Sequence, residues 1–425
     1  MKIAIIGAGF TGLAAAYRLT RAGHDVQVFE KDSLPGGLAV GYQEPGWEWT
    51  LEKHYHHWFT NDTFVLRLAE EIGHPVIIRT PISSFLVNGV SYRFDSPQAM
   101  LAFPKLPLFD KIRMAVVFAL LFRLNPFWKV LERFSMTATV PHLIGEKAFT
   151  MLWKPQLVNK MGKHAEKISL VWFWARIKKR TTSLAYPEGG FLSFAQALTT
   201  RIEKQGGVVR YNTEVTRLTD DKAVRLTIRQ GDKVETAEFN RVIVTLPSFL
   251  FVKIASNLPG PYRQSLVRLE GLSATNLVLR LRKPFLADGT YWMSVCEPDA
   301  PVMAIIEHTN FMDKRHYHNE HLVYLGNYAF TDALDWNKQN LLALYDPFLR
   351  KINRDYKKSL IGYELFKAPF AQPIVPRNYS KLMPSMVTPL PHVFLANIEQ
   401  VYPWDRGTNY AVELGEKVAK IVQKL

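Results

Sequence analysis

Hydrophobic positions along the chain recur with two periods, and the first thirty residues show both. Residues 3–6 are continuously apolar and predict a short buried strand. A Gly-rich turn fills 7–12, and small apolar residues from Leu13 to Ala22 predict a closely packed helix. Gly23-His24 ends it, and Val26–Glu30 predicts a second strand. Residues 85–94 alternate around Asn88-Gly89, the signature of a hairpin with a two-residue turn. Residues 275–283, 290–296, 301–308 and 321–329 alternate or run apolar and predict strands of one mixed or antiparallel sheet. Residues 338–352 predict a helix. The stretch between the hairpin and Pro187 is largely helical in pattern. Its apolar run Met114–Phe122 is preceded by Lys111-Ile112-Arg113, closed by Arg123 and broken by Asn125-Pro126, before an amphipathic 127–134.

The chain has 425 residues, 48% apolar and 21% charged, which excludes a disordered or fibrous polymer and predicts two or three domains. Its single cysteine, Cys296, excludes an intramolecular disulfide framework and a Cys-rich metal site. Met1-Lys2 leads straight into the first strand, without the basic and apolar regions of a signal peptide. The longest apolar run in the helical stretch has nine residues, against the ~20 needed to span a bilayer. The expectation is a cytoplasmic protein, soluble or peripheral at the inner face of the membrane.

Charge changes the picture in one place. The net charge is +15, and residues 101–185 hold 15 Lys or Arg against 4 Asp or Glu, a net of +11. The excess favours anionic partners, such as a membrane surface or a phosphorylated substrate; no nucleic-acid partner is expected. Basic residues flank Phe and Leu at 111–134 and flank Trp172-Phe173-Trp174 through Arg176-Ile177-Lys178-Lys179-Arg180. Two readings stay open for this insert: a membrane-facing region, or a helical roof over a substrate cavity with solvated basic edges.

The chemistry begins at Gly7-Ala8-Gly9-Phe10-Thr11-Gly12, between the first strand and the first helix, with an acid, Glu30, 23 residues after Gly7. Gly7 permits a tight turn, Gly9 lets the backbone approach a pyrophosphate, and Gly12 allows close helix–strand packing. The helix N-terminus offers unpaired N–H groups to phosphates, and Glu30 can accept from a ribose diol. Lys31 follows, and six residues after Glu30 comes the pair Gly36-Gly37, then Leu38.

With these motifs the chain resembles the FAD-dependent amine oxidase superfamily, which includes protoporphyrinogen oxidases, phytoene desaturases and UDP-galactopyranose mutases. In most members an Arg stands where this chain has Leu38. The resemblance extends over nearly the whole chain. It takes in Tyr186–Phe191, a strand ending at Val215 whose backbone would meet the adenine, strands at 241–247 and 393–396, and Arg406-Gly407-Thr408-Asn409 opening the helix 410–422. It implies an α/β protein with a Rossmann-like, discontinuous FAD-binding domain (1–80, 186–260, 385–425). An inserted α+β substrate domain (81–95, 261–384) and a helical insert (96–185) would complete it. It also implies non-covalent FAD, and a small-molecule substrate that is hydrophobic or anionic. The implied reaction is hydride transfer to flavin. The alternative is redox-neutral chemistry like that of the mutases, in which reduced flavin N5 attacks a sugar nucleotide.

Candidate catalytic groups are imidazoles. Glu52–Asp62 includes His56 and His57 and is similar to the His-rich stretch of the mutases; either imidazole suits a flavin hydrogen bond or proton transfer. His308 ends a predicted strand and is a third candidate. His316–His321 looks like a metal cluster, but its charged setting favours a solvated loop, and no metal site is expected. A second GxGxxG is absent, so no separate NAD(P)H domain is expected.

Overall fold

The computed structural model describes residues 1–329 and 336–425. Five parallel strands form one sheet, in the order Val208–Arg210, Asp25–Phe29, Lys2–Ile6, Arg241–Val244, Val393–Leu395. Residues 3–6 of the strand Lys2–Ile6 are apolar because both faces of the strand are covered. Ile3 and Ile5 pack toward the helices Phe10–Arg21, Phe191–Lys204 and Thr408–Lys424. Ala4 and Ile6 pack toward a three-stranded antiparallel sheet, Glu214–Asp220, Val224–Gln230 and Lys233–Phe239. The first helix starts at Phe10, inside the Gly-rich turn, rather than at Leu13. The strand expected to end at Val215 instead begins at Glu214, and Val215 is buried in the layer beneath the parallel sheet.

A seven-stranded mixed sheet stands beside this layer. Its order is Leu360–Pro373, Gly271–Leu281, His321–Ala329, Ala304–Glu307, Thr290–Val295, Ile82–Val87, Val90–Arg93. Only Ile82–Val87 and Thr290–Val295 pair in parallel. The hairpin turns at Asn88 and Gly89, which both hold positive φ (51° and 74°), as a two-residue turn of the mirror-image kind demands. The helix Lys338–Ile352 covers one face through Leu341, Leu342, Tyr345 and Leu349. The edge strand Leu360–Pro373 escaped sequence reading because it is half exposed and interrupted by Pro369, residues tolerated at an edge.

Residues 97–179 form short helices that close over the gap between the two sheets. Leu108–Val117 continues into wide i→i+5 turns at Phe118–Leu124, and Leu170–Lys179 ends the insert. Trp172, Phe173 and Trp174 are buried, so the tryptophan-rich part of the insert is core. Arg176 pairs with Asp405 at 2.9 Å rather than flanking a lipid-facing helix.

Candidate active site

A cavity of about 710 Å³ runs between the parallel sheet, the mixed sheet and the insert. One end is built by the Gly-rich turn. Gly7, Gly9, Phe10 and Thr11 line it together with Glu30, Lys31, Gly36, Gly37 and Leu38. The helix Phe10–Arg21 has Gly9 as its N-cap and no side-chain cap, which leaves its first N–H groups free of intrahelical and capping partners. A Cβ on Gly9 would have only the Gly37 Cα, 3.9 Å away, within 4 Å, so the two Gly backbones bound open space. Gly12 does not line the cavity. A Cβ there would stand 2.0 Å from the Gly7 carbonyl oxygen, so its role is to let helix and turn close.

Glu30 follows the strand Asp25–Phe29 directly. Its carboxylate accepts from the Ala8 N–H at 2.8 Å and the Asp32 N–H at 2.9 Å. Burial raises its pKa, partly offset by these bonds. Ala8 thus serves the site by fixing Glu30. At the opposite wall the C-terminal helix begins at Thr408, again with no side-chain cap on its N-cap, Gly407. Thr408 accepts from Trp58 Nε1 at 2.6 Å, and Asn409 accepts from the N–H groups of Phe64 and Val65. Arg406, Gly407 and Thr408 line the cavity, whereas Asn409 is turned to the helix Thr63–Ile72. Two uncapped helix ends, a buried carboxylate and an open Gly–Gly cradle fit a flavin dinucleotide. Val215 is not among the lining residues.

The other end is a chamber of aromatic and charged side chains. His56 and His57 both line it, beside Tyr55, Tyr291, Trp292 and Tyr328. His56 Nδ1 donates to the His54 carbonyl at 2.5 Å, which leaves Nε2 with the lone pair. His57 Nδ1 bonds the Tyr291 hydroxyl at 3.0 Å. Burial, reinforced by Arg406, pushes His56 down to about 4. Burial, reinforced by Arg180 and His56, pushes His57 down to about 3. Both are neutral imidazoles at pH 7.

His308 lies elsewhere. It is buried, bonds the Tyr317 hydroxyl at 2.8 Å and does not reach the cavity. Behind the His segment, Glu52 is fully buried and accepts from the Tyr186 hydroxyl and the Phe191 N–H at 2.9 Å each; burial raises it to about 7. The His316–His321 stretch is not a solvated loop. Tyr317 is in the core, His316 stacks on Trp49, and Glu320 binds Arg280. Cys296 is buried, contacts Leu152 and Gln156, and is not among the residues lining the cavity.

Sequence reasoning missed the cationic wall. Lys160, Arg176, Lys179, Arg180 and Lys367 join Arg406 around this end, against Asp62, Asp95 and Asp405. Nothing local distinguishes Lys160 from the other basic residues of the insert.

This cofactor cradle, opening into a side-chain chamber beneath a mixed sheet, defines a flavin-dependent oxidoreductase. The family model for flavin containing amine oxidoreductases matches residues 10–422, and the chain belongs to that family, with FAD as its cofactor. It is 24% identical over 294 residues to the coproporphyrinogen III oxidase of Staphylococcus aureus (59% of this chain, 61% of the relative). Over 50 residues it is 52% identical to a zeta-carotene-forming phytoene desaturase of Myxococcus xanthus, 12% of this chain and 10% of that one. Cyclohexylamine oxidase from Brevibacterium oxydans shares the fold with a TM-score of 0.76 at 16% identity, covering 100% of this chain and 98% of that chain. Reduced UDP-galactopyranose mutase does so with a TM-score of 0.75 at 14% identity, covering 100% and 95%.

Proposed function

We propose that this enzyme oxidises a hydrophobic or anionic small molecule held in the chamber, with non-covalent FAD in the cradle. The observation that carries the reading is the single cavity joining the Gly7–Gly12 turn and Glu30 to the His56–His57 chamber. FAD, when bound, supplies the hydride acceptor. The chain's own residues do the rest. The uncapped first helix would hold the pyrophosphate and Glu30 the ribose diol, while the Thr408 helix end would favour negative charge beside it. His56, neutral and with Nε2 unprotonated, accepts a hydrogen bond or proton from the substrate; its low pKa makes it a transient acceptor rather than a proton store. Tyr291 orients His57. The insert roofs the chamber and excludes water. Anaerobic bleaching of the flavin by an amine, porphyrinogen or polyene supports this reading. The mutase-like alternative is favoured by the cationic wall; turnover of a sugar nucleotide only after dithionite reduction would install it instead.

We further propose that the insert docks on an anionic lipid surface. Leu108, Ile112, Val116, Leu120 and Leu124 recur every four residues, and with Phe109, Phe127, Val130 and Phe134 they are 47–72% exposed. In an α-helix a four-residue step drifts around the axis, and the wide turns at 118–124 rotate the next positions back toward one line. Lys105, Arg123, Lys129 and Arg133 are exposed beside this face. An apolar stripe bordered by basic residues suits the headgroup boundary.

A further inference from the structure

Lys160 is 7% exposed, lines the chamber and makes no hydrogen bond among the described residues. Its nearest carboxylate oxygen, on Asp405, is 3.9 Å away. That carboxylate is already engaged: it pairs with Arg176 at 2.9 Å and accepts from the Arg406 N–H at 3.0 Å. Among the described residues the Arg406 guanidinium donates its hydrogen bond to the neutral Gln372 amide, at 3.2 Å. Two cations, Lys160 and Arg176, therefore share one carboxylate, with the Arg406 side chain beside them. They also share rings. Lys160 and Arg176 both lie over Trp172, at 5.1 Å and 4.9 Å, and Lys160 and Arg406 both lie over Tyr328, at 5.1 Å each.

Ring faces soften the cost of burying these charges but do not neutralise it. A buried cation without an anion is expensive, and like charges gathered around it add to the cost. Burial pushes Lys160 well below the ordinary lysine value despite Asp405. A fold needing only packing here would hold an apolar side chain at 160. Three basic side chains gathered in the cavity around one carboxylate, already bound by Arg176, fit a ligand that brings further negative charge.

We propose that Lys160, Arg176 and Arg406 form an anion subsite that seats a carboxylate or phosphate of the substrate in the chamber. This rests on the flavoenzyme reading above and names its substrate class. Lys160 supplies the unpaired donor; Arg176 and Arg406, fixed by Asp405 and Gln372, flank it. Because the test uses the FAD-loaded enzyme, an anion bound here is distinct from the cofactor's own phosphates.

The test is calorimetric titration of the FAD-loaded enzyme with inorganic phosphate and, separately, with succinate, at constant low ionic strength. Saturable binding of either is expected, and Lys160→Met should weaken it about 10- to 100-fold, the loss of one charge-assisted hydrogen bond. The same variant should keep its flavin absorbance and melt at the wild-type temperature or above, because a source of repulsion is gone. Phosphate binding alone identifies a phosphorylated substrate, and succinate binding alone a carboxylated one. Absence of saturable binding overturns the proposal. So does a Lys160→Met variant that binds both as tightly as wild type, or that loses melting temperature while binding normally. Arg176→Gln is the second variant and should also weaken binding. A colourless wild-type protein would instead defeat the flavoenzyme reading, and calorimetry reports anion binding without the chromophore.

Discussion

Replacing Gly9 with valine separates cofactor binding from folding. Gly9 sits at φ −70°, ψ 170°, a conformation open to any residue, and its Cβ direction meets only the Gly37 Cα at 3.9 Å. The fold therefore tolerates the side chain, which projects into the cofactor cradle. If it displaces a pyrophosphate from two helix N–H groups, at about 1.5–3 kcal/mol for each bond to a charged group, the loss is about 3–6 kcal/mol. That is about 10²–10⁴-fold in Kd. Purified Gly9→Val should be colourless, and fluorescence titration should show FAD affinity reduced by that factor. Its melting temperature should match wild-type apoprotein rather than holoprotein, since bound ligand itself stabilises. Gly12→Val is the contrasting control. Its Cβ would stand 2.0 Å from the Gly7 carbonyl oxygen, so it should lose both colour and fold. Yellow Gly9→Val with full FAD occupancy would refute the placement of the cofactor.

His56→Ala and His57→Ala should both keep FAD, and at least one should slow flavin reduction or turnover by about 10²–10⁴-fold; wild-type rates in both would assign the pair to packing. Glu52→Gln should change the pH dependence of stability. The wild-type carboxyl is held near 7 in the fold by burial, above its ordinary 4.5, so its contribution is full below 4.5 and fades as pH rises through 7. The difference in unfolding free energy between variant and wild type should shift in the variant's favour over that window, by on the order of 3 kcal/mol, and parallel curves would refute it. Wild-type protein should co-sediment with anionic vesicles more than with neutral ones, and more weakly in high salt. Serine at Leu108, Ile112, Val116 and Leu120 should abolish the salt-resistant part without altering FAD content. Equal, negligible pelleting with both lipids would discard the docking surface.

The Gly-rich end of the cavity was legible in the sequence because it is local. Strand, Gly-rich turn, helix and Glu30 lie within thirty residues, and backbone geometry alone sets what each glycine does. The Asn88-Gly89 hairpin was legible for the same reason. The chamber was not. His56 and His57 could be named as candidates from composition, but whether they or His308 reach the cavity depends on which face of a distant sheet each meets. His308 was drawn instead into the core by Tyr317. The charge of the insert could be counted, but not divided. Tertiary packing turned Lys160 and Arg176 inward to Asp405, more than 220 residues away in the chain, and left the 108–134 stripe outside. Charge and hydrophobicity are properties of residues. Which side of a helix is buried is decided by what the rest of the chain stacks against it.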